Sequence, residues 1–350
     1  MAESVAPAVD PTALEKWLAT ALPGRGDVEV DPLGEGHSNL TFLVRRGADV
    51  WVLRRPPLGP LLPTAHDVVR EYRVLTLLSA AATPVRVPRA VAVCRDETVL
   101  GAPFYLMERT EGVVVRDRLP DWLADPADQR TLSLDVVDTL AEIHAVDWQP
   151  FVDAGIGKPG GYLERQLRRW VGQREGIQSA VAAAGGTARE LPDYDAVRDW
   201  LRAHLPAEAA PAVVHGDYKL DNCIVGPGAT PAVAAVVDWE MATVGDPRAD
   251  LGYLLSFWPE PGEPFPLADL VAHGPGFPDR ATMVSRWAER TGRDPGDPRW
   301  FVALAIWKLA ILLEASYHRW LAGMADDPFF ATLDTGVPGL LAHAREVCGA

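Results

Sequence analysis

Three side chains in this sequence have the types and the spacing needed to move a phosphoryl group. Asp217 and Asn222 stand five residues apart in His215-Gly216-Asp217-Tyr218-Lys219-Leu220-Asp221-Asn222, and Asp238 follows the apolar run 232–237, 16 residues beyond Asn222. Transfer of phosphate from ATP to a hydroxyl uses a carboxylate at the acceptor oxygen, and an amide and a second carboxylate at magnesium. Oxygen donors suit Mg2+, which completes its shell with waters and the nucleotide phosphates. Each residue alone also fits a plainer role, with Asp217 and Asn222 as turn residues and Asp238 as a helix cap. Their occurrence together, in this order, favours the chemical reading.

These residues need a scaffold that brings them to one point. Val213-Val214 reads as a short buried strand, Gly216 and Asp217 turn out of it, and Cys223-Ile224-Val225 re-enters as a second strand. The stretch 232–237 is a third strand, with Asp238 where side chains leave the core. Upstream, 28–31, 40–45 and 50–54 are strand-like, with a hairpin at Gly47-Ala48-Asp49. Asp10-Pro11 has the form of a helix start, and that helix ends near Gly24. Residues 56–63 form a Pro/Gly loop, 64–81 a helix, and 87–93 and 103–108 complete a small sheet. From Gly112 the periods are long and helical, as over 132–146, 162–171 and 299–322. The Ala/Gly/Pro-rich stretches 180–186 and 259–266 read as loops. The result is a β-rich lobe, 1–110, a mainly helical lobe, 111–350, and a hinge at Arg109-Thr110-Glu111-Gly112.

The chain resembles the aminoglycoside phosphotransferase and choline-kinase-like family, the small-molecule branch of the protein-kinase-like fold. His215-Gly216-Asp217 stands where protein kinases carry His-Arg-Asp, and Asp238-Trp239-Glu240 where they carry Asp-Phe-Gly. The following Gly245-Asp246-Pro247-Arg248-Ala249-Asp250-Leu251 is similar to the family as well. Trp51-Val52-Leu53-Arg54-Arg55-Pro56-Pro57 and Pro103-Phe104-Tyr105-Leu106-Met107-Glu108 resemble the subgroup fused to acyl-CoA dehydrogenases. The resemblance covers about residues 30 to 320. It implies an α+β, bilobal, protein-kinase-like fold and an ATP- and Mg2+-dependent transfer to a small-molecule hydroxyl. Asp217 would orient the hydroxyl, Asn222 and Asp238 would hold the metal, and Lys219 would reach the transferring phosphate unless it simply faces solvent.

The nucleotide half follows from the same comparison. Leu33-Gly34-Glu35-Gly36-His37-Ser38-Asn39 lies between two strands; Gly34 and Gly36 let the backbone approach phosphate, and Ser38 adds a hydroxyl. Glu71 falls on the helical stripe of Val68, Tyr72, Leu75 and Leu78, and a carboxylate on a core-facing stripe requires a partner. In kinases that partner is a strand lysine. Here the strand carries arginine, with Arg54 matching the position and Arg55 as its open alternative. Arginine offers a planar fork rather than a point charge, which leaves a non-catalytic nucleotide-binding pseudokinase as a rival. Backbone groups at Met107 and Glu108 would meet the adenine.

Remaining polar residues have two readings each. His215 braces the catalytic loop or moves protons; His144 packs a helix. Asp246 and Asp250 orient the metal segment or cap the next helix. Glu260, Glu263 and Asp269 belong to a solvated loop or meet a cationic acceptor.

Composition narrows the class. The 350 residues carry a formal net charge of −15, which argues against a nucleic-acid partner needing a basic face. The three cysteines lack disulfide or zinc spacing. No signal peptide is evident, and the apolar stretch 301–313, interrupted by Lys308, is too short for a membrane span, so a cytoplasmic location is expected. A protein kinase is disfavoured, because no Ala-Pro-Glu follows and only a dozen residues separate Asp238 from Asp250. The acceptor stays open between aminoglycoside-like compounds and a hydroxyacyl or other lipid-like alcohol.

Overall fold

The computed structural model describes residues 9–33, 39–58, 67–226, 228, 230–260, 262–263, 265–267, 270–324 and 327–349. The phosphate-loop candidates Gly34, Gly36 and Ser38 therefore lie outside the described residues, as does Asp269.

The first helix, α1 (Pro11–Ala21), starts as its sequence dictates: the Asp10 carboxylate accepts from the amides of Thr12 and Ala13, and proline occupies the first turn. Strands β1 (Val28–Pro32), β2 (Leu40–Arg46) and β3 (Asp49–Arg55) form an antiparallel meander. Helix α2 (Val68–Ser79) is capped by Asp67. It is followed by β4 (Ala90–Cys94), the short α3 (Glu97–Leu100) and β5 (Phe104–Glu108). The five strands form one sheet in the order β1-β2-β3-β5-β4. Its two faces belong to different cores. Trp51 and Leu53 join Phe42, Phe104 and Leu106 under α1, whereas Val52, Tyr105 and Met107 join α2 and the interior of the rest of the chain.

After residues 109–112 the chain enters β6 (Val113–Val114), which pairs with β8 (Cys223–Gly226), itself paired with β9 (Ala232–Val236). Between β6 and β8 lie α4 (Pro126–His144), α5 (Gln149–Asp153), α6 (Tyr162–Ala183), α7 (Tyr194–Ala203) and β7 (Ala212–Val214). Strand β7 pairs with β10 (Thr243–Gly245). Helices α8 (Arg248–Ser256), α9 (Arg280–Thr291), α10 (Pro298–Leu321) and α11 (Phe329–Cys348) complete the lobe. Fold class and order agree with the sequence-based expectation. One reading is corrected: residues 180–183, expected as loop, continue α6, because alanine is the best helix former; the helix ends at Ala183, just before Gly185-Gly186.

Helix α10 is the axis of the large lobe. It spans 24 residues, Pro298–Leu321, within one residue at each end of the helical period expected at 299–322. By length and composition alone it could cross a membrane, yet most of it is buried within the lobe. Trp300, Phe301, Ile306, Trp307 and Ile311 are all core residues, each contributing about 1.5–3 kcal/mol by burial. Its buried Glu314 is held by Arg174 of α6 and by Arg189. Gly252 of α8 admits α10 closely: a Cβ there would stand 2.4 Å from Phe301 Cβ. That approach brings the middle of α10 against the loop after β7.

Candidate active site

The loop from β7 to β8 is a built structure. Gly216 has φ +86°, and a Cβ on it would sit 2.7 Å from Met241 O, so only glycine fits there without strain. The Asp250 carboxylate of α8 accepts from the amides of His215 (2.6 Å) and Gly216 (2.8 Å). His215 Nδ1 accepts from the Asp217 amide at 3.2 Å, which leaves Nε2 to donate to Val237 O at 3.0 Å. His215 is therefore a brace, and Asp250 orients the loop. Buried His144 faces Asp250 through Nε2 (3.4 Å) and accepts from Trp287 Nε1 (3.0 Å). Burial lowers its basicity despite the carboxylate, and it packs as a neutral ring. Asp246 holds Arg248 and the Ala209 amide.

Asp217 is brought out by this loop with 19% of its side chain accessible. Asn222 Nδ2 donates to Asp217 O (2.7 Å) and Oδ2 (2.8 Å). Lys219 Nζ lies 3.6 Å from Asp217 Oδ2 and 5.1 Å from the Phe257 ring centroid. Burial pushes the Asp217 carboxyl up, but the Lys219 and Lys308 ammoniums and a Tyr253 hydrogen bond outweigh it and hold the group below the usual aspartate value. For Lys219, burial favours the neutral form, but Asp217, Asp221 and Asp238 prevail and keep it charged.

Asp238 sits beside Asn222, because the Val237 amide donates to Asn222 O at 2.9 Å. Its backbone is left-handed, φ 69° and ψ 58°, a conformation that aspartate tolerates better than most residues. Across the cleft, Arg54 of β3 donates from Nη1 to Glu71 Oε1 (2.8 Å) and from Nη2 to Asp238 Oδ1 (3.1 Å). Glu71 Oε1 also accepts from the Trp239 amide at 3.1 Å, while Oε2 has no hydrogen-bond partner among the described residues. Burial works against the Arg54 charge, but Glu71, Tyr105 and Asp238 more than offset it. Burial likewise raises the Glu71 carboxyl, with Arg54 opposing.

This decides between the two arginines. Arg54 lies on the cleft face of β3, whereas buried Arg55 lies toward the α1 face, its guanidinium 5.7 Å from the Phe42 ring centroid. Further contacts join the lobes beside this pair, among them Asn39 Nδ2 to Glu240 Oε2 at 3.1 Å and Arg70 to the carbonyls of Glu240 and Ala242. Met107 is buried in β5. The Glu108 amide already donates to Arg89 O (2.9 Å), and its carboxylate pairs with Arg89. Glu260 and Glu263 are engaged with Arg280 rather than free for an acceptor.

Among the described residues no group of three or more His, Cys, Asp and Glu side chains is placed to hold a metal. A site with two protein oxygens, Asp238 and Asn222 Oδ1, fits Mg2+ shared with phosphates better than a protein-only cage. Two residues here belong to no motif. Lys308 of α10 donates to Gly216 O, and Tyr253 of α8 hydrogen-bonds Asp217. For Lys308 the only signal in the sequence is a lone charge in an apolar helix.

The profile of the phosphotransferase enzyme family matches residues 29–283. Acyl-CoA dehydrogenase family member 11 of Rattus norvegicus is 32% identical over 341 residues, covering 94% of this chain and 42% of that protein. Family member 10 of Mus musculus is 32% identical over 326 residues, 91% of this chain and 29% of that one. The chain thus spans less than half the length of these relatives. A candidate aminoglycoside phosphotransferase from Ralstonia eutropha has TM-score 0.77 and 32% identity, covering 98% of this chain and 99% of its own. Aminoglycoside phosphotransferase APH(4)-Ia, solved with AMP-PNP and hygromycin B, has TM-score 0.60 at 15% identity, covering 96% and 98%, a likeness of fold. With the profile match extending over most of its length, this chain belongs to the phosphotransferase enzyme family and has the fold of the aminoglycoside phosphotransferases.

Proposed function

We propose that this chain is an ATP-dependent kinase of a small-molecule hydroxyl. The observation that carries the reading is the cluster around Asp217: an accessible carboxylate bonded to Asn222, with Asp238 beside them and tied across the cleft to Arg54 and Glu71. In this reading residues 1–110 bind nucleotide and 111–350 carry catalysis and the acceptor site. Asp217 orients the acceptor hydroxyl and takes its proton as the bond to phosphorus forms. A carboxylate of low basicity suits this task, because phosphoryl transfer relies chiefly on positioning and electrostatics. Lys219 faces the transferring group, and Arg54, steadied by Glu71, faces the nucleotide tail together with the 34–38 loop. Backbone at 107–108 meets the base. Asp238 and Asn222 hold Mg2+, which when bound neutralises phosphate charge.

The test is Asp217→Asn. With MgATP and an acceptor panel, phosphorylation should fall by about 10²-fold or more while nucleotide affinity stays near the original. Near-normal turnover would remove Asp217 from this role. Nucleotide binding without turnover over the whole panel would make the chain a nucleotide-binding module.

A lipid-like alcohol and an aminoglycoside are the two acceptor classes to compare. Beside the catalytic loop, a narrow cleft is walled by Leu254, Phe257, Trp258 and Val271, with Arg116 and Asp221 at its polar side. The relatives bearing the name acyl-CoA dehydrogenase make a hydroxyacyl compound the first such alcohol to include in the panel. Faster phosphorylation of aminoglycosides than of hydroxyacyl compounds would favour the aminoglycoside class.

A further inference from the structure

Lys308 lies 92 residues from Gly216 in sequence and enters the site from the centre of α10. It is buried, and it forms no ion pair with any described carboxylate. Its ammonium donates to Gly216 O and stands 4.6 Å from the Tyr253 ring centroid and 5.6 Å from that of Trp170. It faces Asp217 and Lys219 of the catalytic loop, Asp250 and Tyr253 of α8, and Arg169 and Trp170 of α6. A buried cation without a carboxylate partner costs stability, and an apolar side chain of similar volume would be expected to pack there more favourably. Gly216 and Asp217 already have structural supports in Asp250 and His215. What Lys308 adds is a direct bond to the Gly216 carbonyl and a fixed positive charge behind Asp217.

We infer that Lys308 is a positioning residue for phosphoryl transfer: it fixes the Gly216–Asp217 peptide from behind and supplies the charge that faces the Asp217 carboxylate from the interior. This rests on the kinase reading above. Burial pushes the Lys308 ammonium down to about 8, with Asp217 and Asp250 pulling the other way. The charge is therefore present at neutral pH and lost above about pH 8. A purely architectural lysine would be replaceable by methionine with no effect on the chemistry.

The experiment uses the full chain with Lys308→Met and Lys308→Arg. One readout is ADP formation from MgATP, with water or an alcohol of the acceptor panel receiving the phosphate. The other is the pH profile of that rate from neutral to alkaline pH. In Lys308→Met the rate should fall about 10-fold or more with the MgATP KM nearly unchanged, and the loss of rate that follows loss of the Lys308 charge above about pH 8 should disappear. Lys308→Arg, which keeps its charge throughout, should recover part of the rate and likewise lack that alkaline loss. A Lys308→Met protein with the original rate and pH profile would overturn the role. If that variant does not fold, Lys308→Arg decides: an alkaline loss of rate kept in full would overturn it. Absence of Asp217-dependent transfer over the whole acceptor panel would instead refute the kinase reading, whereas unchanged Lys308 variants of an active chain would refute this inference alone.

Discussion

Removing Glu71 should loosen both halves of the cleft at once. Its Oε1 accepts from Arg54 at 2.8 Å and from the Trp239 amide at 3.1 Å, and the side chain is buried. Breaking a buried ion pair by deleting one partner costs about 3–5 kcal/mol, because the remaining charge is left uncompensated. Here Arg54 keeps Asp238 as a second partner, so Glu71→Ala should fall at the low end, about 3 kcal/mol. For 350 residues at about 2.1 cal/mol/K each, the unfolding entropy is about 0.7 kcal/mol/K, so Tm should drop by about 4 °C. Arg54→Ala should cost a similar amount by stranding Glu71. The double variant should cost clearly less than the sum, with a coupling of about 2 kcal/mol. Scanning calorimetry of the four proteins measures the cycle, and MgATP titration of the same set should show the same sub-additivity in affinity. Costs that add within about 0.5 kcal/mol would mean that Arg54 and Glu71 do not act as a unit, and the geometry argued for the nucleotide side would fail.

Two further outcomes are expected. In the proposed reading Asp238 is the main charged metal oxygen, so Asp238→Ala should lower MgATP affinity by about 10-fold or more while leaving metal-free nucleotide binding in place; isothermal titration with and without Mg2+ checks this, and an unchanged metal dependence would reduce Asp238 to a partner of Arg54. Lys308→Met should be more stable than the original below pH 8, since a fall from 10.5 to about 8 corresponds to about 3 kcal/mol. Between those values the unfolded chain holds the proton and the folded one does not, so the original gains stability as pH rises and the difference should shrink toward pH 10.5; denaturation at pH 7 and pH 10 shows whether it does.

Local geometry was legible where spacing alone defines it. Asp217, Asn222 and Asp238 converge because one loop and one strand end carry them, and Glu71 betrayed its partner by lying on an apolar helical stripe. The choice between Arg54 and Arg55 was not legible. Residues 51–55 of β3 are buried on both faces of the sheet, so no alternation of polar and apolar residues marks which side faces the cleft. The pairing of Arg54 with Tyr105 in β5 resolves it. Lys308 was beyond reach for another reason: its partner is set by how closely α8 and α10 pack at Gly252, and no local pattern encodes that distance. The end of α6 was misjudged because Ala and Gly were weighed together as loop formers, although their helix propensities lie at opposite ends of the scale for ordinary residues.

The five-stranded sheet divides its side chains between two cores, and only the one under α1 belongs to the small lobe alone. Val52, Val74, Leu75, Leu78 and Tyr105 are built into the same apolar interior as Val214, Trp239 and Ile306. The lobes are thus not separable modules: residues 1–110 cut free would leave that face uncovered, a surface prone to self-association. It also makes the loop that carries Asp217 hostage to the sheet. A truncation at Leu75, in the apolar interior one helical turn from Glu71, would draw on the same cooperative reserve that keeps Asp217 in place, so substitutions that disturb the site need not lie in the cleft itself.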